Sequence, residues 1–374
     1  MIIAATAILT PRGKLDPGWI EISGRTITSL GSGRPPRPAD HTFYGTLVPG
    51  FVDAHIHGGG GASFNDPDPD AADRIAATHL RHGTTTMMAS LVTAPLDELT
   101  RALRALTAKV RDGIIAGIHL EGPWLSHDYR GAHDPALLQA PQLRDIETLL
   151  QAGEGAVRMV TIAPELPHAL EAIRMITGHG AVAAIGHTGA SYDQTRAALD
   201  AGASAGTHLF NAMRPLHHRE PGPATALLED SNVFAEVIAD GVHLHPAILR
   251  LAFNSPAKTV LVTDAMAAAC AANGRYRLGK LDVNVHDGQA RLAQDGSIAG
   301  STLTLHAALR YAVHTADIPL SHAVRALTEH PAAMLGLSDI GTLTPSKRAD
   351  LVALGPALDI QAVMQAGTWT TSPP

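Results

Sequence analysis

The chain has 374 residues, 45% hydrophobic and 17% charged, with a formal net charge of −7. That balance supports a large buried core and argues against a broad basic surface for nucleic acid, although an acidic protein can still carry a local cationic pocket. Cys270 is the single cysteine, which excludes an intrachain disulfide and a thiolate zinc site; with no leader-like N-terminus and no apolar run of spanning length, a cytoplasmic protein is expected.

In chain order, residues 2–9, 18–22 and 25–30 read as short strands, punctuated by Gly13, Gly24 and the Gly31-Ser32-Gly33 cluster. Similar apolar segments at 341–345 and 349–354 close the chain. The two ends, residues 1–48 and 339–374, are expected to form one small β-sandwich domain.

Residues 49–338 alternate. Strand-like runs fall at 47–54, 84–89, 114–120, 158–163, 181–185, 203–207, 233–238 and 259–262. Helical stretches fall at 70–81, 96–111, 135–151, 167–177, 192–201, 224–229, 246–252, 304–315 and 320–335. Strand–helix alternation of this length predicts an α/β fold, a (β/α)8 TIM-like barrel, with a doubly wound open sheet as the alternative. Residues 275–299 interrupt the last repeat. The alternation Leu281-Asp282-Val283-Asn284-Val285 predicts a β-hairpin insertion there, with the small β domain as its candidate partner.

Barrel chemistry sits at the C-terminal ends of strands. His55 and His57 follow the first predicted strand, and four glycines from Gly58 follow them. Alternating side chains put both imidazoles on one face, where they can grip one divalent ion. Glu121 ends the third strand, His187 the fifth, His208 the sixth and Asp264 the eighth. Each alone has a bland explanation: a helix cap for Asp264, a core histidine for His208. Together on one rim they are costly to bury without a counter-charge, which a metal ion supplies.

The segments Pro49 to Gly58, His119-Leu120-Glu121-Gly122-Pro123, Arg130-Gly131-Ala132-His133, Ile185-Gly186-His187-Thr188, Thr207 to Met213, Arg219-Glu220-Pro221-Gly222, Ile238 to His243, Val262-Thr263-Asp264-Ala265 and Ala299-Gly300-Ser301 run through nearly the whole chain. On these the chain resembles the amidohydrolase superfamily and, within it, the family of deacetylases acting on N-acetylglucosamine 6-phosphate. The resemblance implies Glu121, His187 and His208 as ligands of a main ion, with His55, His57 and Asp264 available to a second bridged by Glu121. The ion is zinc first, with iron, cobalt or manganese as alternatives, one or two per subunit. It also implies Asp264 as the general acid–base and His133 as the imidazole beside the developing oxyanion. Ala132, His133, Asn211, Ala212, Asp240, His243, Ile298, Ala299 and Gly300 are implied as substrate contacts. Arg219 is implied as the phosphate partner, reaching the neighbouring active site of a homodimer. His127, His217 and His218 read as solvated. No lysine falls at the end of the fourth strand, so a carboxylated-lysine bridge is not expected. Two alternatives remain: another amidohydrolase (dihydroorotase-like or an N-acyl-amino-acid deacylase), with no need of Arg219 or the Asn211-Ala212 pair, and a non-catalytic barrel, which would not need to keep every ligand.

Overall fold

The computed structural model describes residues 1–370. The last four residues of the expected small domain lie outside that range.

The alternating middle of the chain forms an eight-stranded parallel sheet in sequential order: β1 (Phe51–Asp53), β2 (Thr84–Val92), β3 (Gly117–Glu121), β4 (Val157–Ile162), β5 (Val182–Ile185), β6 (Ala205–Gly206), β7 (Phe234–Ile238) and β8 (Lys258–Val262). Sequential parallel order with helical crossovers is the barrel arrangement. The seam between β1 and β8 is bridged by the Asp53 side chain and by backbone hydrogen bonds just beyond the two strands. Asp53 accepts from Thr263 Oγ1 at 2.7 Å and Thr263 N at 3.3 Å, and Asp264 N donates to His55 O at 2.9 Å. Asp53 is fully buried, and burial pushes its carboxyl up to about 7 against those hydrogen bonds.

Both chain ends contribute to a second eight-stranded sheet. Its order is Thr368–Trp369, Ile360–Gln365, Leu351–Leu354, His41–Pro49, Ile2–Thr10, Gly18–Ser23, Thr26–Ser32, with Gly13–Leu15 beside Ile2–Thr10. A bridge between Thr26 and Arg348 turns this sheet back on a separate core of Ile3, Ile20, Phe43, Leu47, Leu351 and Met364, among others. Arg348 links it to the barrel by donating to Asp350 at 2.5 Å and to Thr86 Oγ1 at 2.7 Å.

The expected single strand 47–54 is two strands in two sheets. His41–Pro49 belongs to the outer sheet and Phe51–Asp53 to the barrel. Gly50 stands at the break, where a side chain would not fit: a Cβ there would lie 2.2 Å from Thr85 Oγ1. Two predicted helices are also divided. The 135–151 stretch gives a short 3-10 turn, Pro135–Leu137, then an α-helix from Leu143, because Pro141 disfavours helix in the residue before it. The 320–335 stretch breaks at Thr328 into Leu320–Leu327 and Glu329–Met334.

The insertion differs from the expected hairpin. It is a three-stranded antiparallel sheet (Gly274–Leu278, Leu281–His286, Gln289–Leu292), not a hairpin, and it shares no ladder with the outer sheet. Its apolar face has a partner elsewhere: Leu278, Val283, Val285 and Leu292 pack with Val92, Met266 and Ala299 at the barrel rim. Among the described residues, no helix is long and apolar enough to cross a membrane.

Candidate active site

The rim residues converge. His187 Nε2 and His208 Nε2 each lie 3.1 Å from Glu121 Oε1 and 3.1 Å from each other. On the other side, His57 Nε2 lies 3.1 Å from Glu121 Oε2 and 3.2 Å from Asp264 Oδ1. His55 Nε2 is 3.1 Å from His57 Nε2 and 3.6 Å from both carboxylates. Glu121 therefore turns one oxygen to each half of the cluster, and all six side chains are buried.

The rings behind these contacts set their tautomers. His57 Nδ1 donates to Ser90 O at 3.1 Å, and His187 Nδ1 donates to Tyr129 O at 3.0 Å. A carbonyl can only accept, so in each neutral ring the hydrogen is on Nδ1 and the Nε2 lone pair points into the cluster. Lone pairs and carboxylate oxygens converging without donors between them form the donor set of a divalent-ion site. Charge agrees. Burial alone would lower the His57 pKa, but hydrogen bonds to Asp264 and Glu121 carry it up to about 9, so this half favours positive charge. His187 is lowered to about 4 by burial and by the neighbouring His133, so it stays a neutral donor. Burial works against ionisation of Glu121 and Asp264, yet the surrounding imidazoles hold both carboxyls below the usual range.

The ligand positions are strained. His187 (φ 48°), His208 (φ 27°) and Asp264 (φ 48°) all occupy the left-handed region, sparsely populated by non-glycine residues. Such conformations cost about 1–3 kcal/mol each and persist where the surroundings over-determine them, commonly at active sites. Gly131 permits close approach over the cluster: its φ is +54°, and a Cβ would lie 3.0 Å from His187 Cε1.

A cavity of about 410 Å³ opens onto the cluster. Ala132, His133, Asn211, Ala212 and His243 line it, and Ile298 and Gly300 come from the segment after the inserted sheet. Thr93 Oγ1 holds His133 Nδ1 at 2.8 Å, with His133 Nε2 3.6 Å from Glu121 Oε2. Two expected contacts are placed differently. Asp240 stands behind His243, accepting from its Nδ1 at 2.6 Å, and Ala299 is packed into the inserted sheet's core. Arg219 does not line this cavity. It lies with Arg214 and Tyr192 on another, of about 520 Å³, in an exposed turn where its Nη1 is 2.8 Å from His218 Nε2. His127 is exposed. A larger cleft of about 800 Å³ beside the Leu96–Arg111 helix has no histidine in its lining, so the donor set and not the size marks the site.

Sequence reasoning did not find the groups behind the ligands. Ser90, Thr93 and Tyr129 act through backbone or hydroxyl atoms and give no sequence signal. Glu236 does give one: it is a carboxylate inside the apolar strand Phe-Ala-Glu-Val-Ile of β7.

A parallel barrel whose strand ends present imidazoles and carboxylates around an ion-sized space belongs to the metal-dependent hydrolases. Residues 46–370 match the model of the Amidohydrolase family, and the chain belongs to that family. It is 36% identical over 98% of its length, and 98% of the relative's, to an N-acetylgalactosamine-6-phosphate deacetylase of Escherichia coli O157:H7. It is 32% identical over 94% of its length, and 92% of the relative's, to an N-acetylglucosamine-6-phosphate deacetylase of Bacillus subtilis. Among solved structures, a mutant N-acetyl-D-glucosamine-6-phosphate deacetylase of Mycobacterium smegmatis in complex with N-acetyl-D-glucosamine-6-phosphate superposes with a TM-score of 0.97, at 50% identity, over 100% of this chain and 99% of that one.

Proposed function

We propose that the chain hydrolyses the acetamide of N-acetylglucosamine 6-phosphate, giving glucosamine 6-phosphate and acetate. The observation that carries this reading is Glu121, with His187 and His208 on one oxygen and His57 and His55 on the other, at the floor of an open cavity. The 50% identity over the full chain to a deacetylase in complex with that sugar phosphate supports the substrate.

When bound, a divalent ion supplies Lewis acidity and makes hydroxide available near neutral pH. Glu121, His187 and His208 hold it in this reading, with His55, His57 and Asp264 available to a second. Imidazole and carboxylate ligands suit zinc first, then iron, cobalt or manganese. Asp264 takes a proton from the water attacking the acetamide carbon. His133, whose Nδ1 is paired with Thr93 Oγ1 at 2.8 Å, presents its Nε2–H to the carbonyl oxygen as charge develops there. Asp264 then returns the proton to the amide nitrogen as the C–N bond breaks, so a neutral amine leaves instead of an amide anion. Asn211, Ala212 and His243 contact the sugar, Asp240 fixes the His243 ring, and the segment after the inserted sheet lines the cavity through Ile298 and Gly300. A charged sugar phosphate does not cross a bilayer unaided, so a cytoplasmic location belongs to the same reading.

Purified protein is expected to release acetate from N-acetylglucosamine 6-phosphate. No release from it or from the galacto epimer would remove the reading. Running the two epimers side by side is warranted by the E. coli relative named for the galacto sugar.

Arg219 completes the reading as the phosphate partner supplied across a homodimer. Its exposed position, away from its own chain's cavity, supports this assignment. Arg219→Ala is expected to raise KM for the phosphorylated sugar roughly 10- to 100-fold, the loss of about 1.5–3 kcal/mol of charge-assisted hydrogen bonding, with little change on the unphosphorylated sugar. An equal loss on both sugars would remove Arg219 from that role.

A further inference from the structure

Glu236 lies on β7 between Ala235 and Val237 and is fully buried. A carboxylate in such a place is costly unless it is paired. Its Oε2 is 3.1 Å from His55 Nδ1 and accepts from His208 N at 3.4 Å. Its other oxygen, Oε1, has no partner among the described residues, and neither does His208 Nδ1. His55 shows its opposite nitrogen, Nε2, to His57 and Glu121. Glu236 therefore stands directly behind one ligand of the cluster and touches the backbone of another.

A buried carboxylate at this position adds nothing to packing that an uncharged side chain of the same volume would not. Its chemistry does have a use. An acceptor behind an imidazole keeps the hydrogen on Nδ1, fixes the ring plane and makes Nε2 a stronger donor to an ion. His57 and His187 receive the same service from neutral carbonyls. His55 receives it from a carboxylate.

We propose that Glu236 is a positioning residue for ion binding: it holds His55 in its ligating tautomer and orientation, so that the His55/His57/Asp264 half of the centre retains a second divalent ion. This rests on the two-ion form of the reading above. Deacetylation itself needs only the ion at Glu121, His187 and His208.

The test uses the full chain as wild type, Glu236→Gln, His55→Gln and the double variant. Each is stripped of metal and titrated with zinc against a chromophoric chelator, and the melting temperature of each metal-free protein is recorded. Wild type is expected to bind two ions. Glu236→Gln keeps the shape and loses the charge. It is expected to bind the first ion as wild type does and the second about 10- to 100-fold more weakly. The double variant is expected to be no weaker than His55→Gln alone, because Glu236 acts through that ring. Unchanged affinity for both ions in Glu236→Gln would overturn the proposal. So would joint loss of both ions with a lowered melting temperature, which marks a residue that only supports the fold. A wild type that takes a single ion would also overturn it, while leaving the deacetylase reading in place.

Discussion

Asp264→Asn is expected to lower kcat for the sugar phosphate by about 10²–10⁴-fold, the usual worth of a positioned general acid–base. Asn has the same shape, and the backbone of this position is held independently of the side chain: Asp264 N donates to His55 O at 2.9 Å, and Ser301 N donates to Asp264 O at 2.7 Å. The substitution therefore removes the proton acceptor without moving the β8 rim. The His57 and His55 imidazoles outweigh burial and hold the Asp264 carboxyl below its ordinary range, so at neutral pH the side chain is the anion a base must be. The ion at Glu121, His187 and His208 should stay bound, and KM should change little. Elemental content measured beside kcat separates loss of the base from loss of metal. A near-wild-type kcat with full metal would take Asp264 out of the mechanism.

Glu121→Gln is expected to be more severe. Among the described residues, Glu121 alone reaches all five imidazoles within 3.6 Å, those of His55, His57, His133, His187 and His208. Without its charge both halves of the centre lose their shared ligand, and the His187 and His208 edges, 3.1 Å apart, face one another with little to offset them. An ion acting as Lewis acid contributes several kcal/mol to the transition state, so its loss corresponds to roughly 10³-fold or more in rate. Stability should follow, because an ligand present at 1,000 times its Kd stabilises a folded protein by about 4 kcal/mol. The variant should accordingly melt at the temperature of metal-free wild type and gain nothing from added zinc. A variant that retains ions at wild-type stoichiometry would contradict the bridging role of Glu121.

The same features explain what the sequence could and could not disclose. Repeated apolar runs, each followed by helical periodicity, specify a barrel because strands buried on both faces read as continuous hydrophobic stretches. His55, Glu121, His187, His208 and Asp264 stand out because each is ionisable and directly follows such a run. Their left-handed backbones at His187, His208 and Asp264 leave no mark in residue type. The hinge at Gly50 was hidden because one apolar run feeds two sheets, and a Cβ clash with Thr85 involves a residue far along the chain. The inserted sheet was misplaced because alternation shows which face is apolar and not what covers it. The resemblance implies Asp240 as a sugar contact; in the fold its carboxylate accepts from the His243 ring and from the backbone N–H groups of Val242 and His243. Glu236 is legible as a lone acidic residue within an apolar strand, but its partners His55 and His208 lie far along the chain.

The most direct measurement strips the wild-type protein of metal with a chelator and restores zinc stepwise, with bound metal and acetate release from N-acetylglucosamine 6-phosphate read in the same samples. Turnover is expected to vanish with the ions and to return in proportion to the metal regained. Undiminished acetate release from protein shown to be free of metal would contradict a centre built around Glu121, His187 and His208.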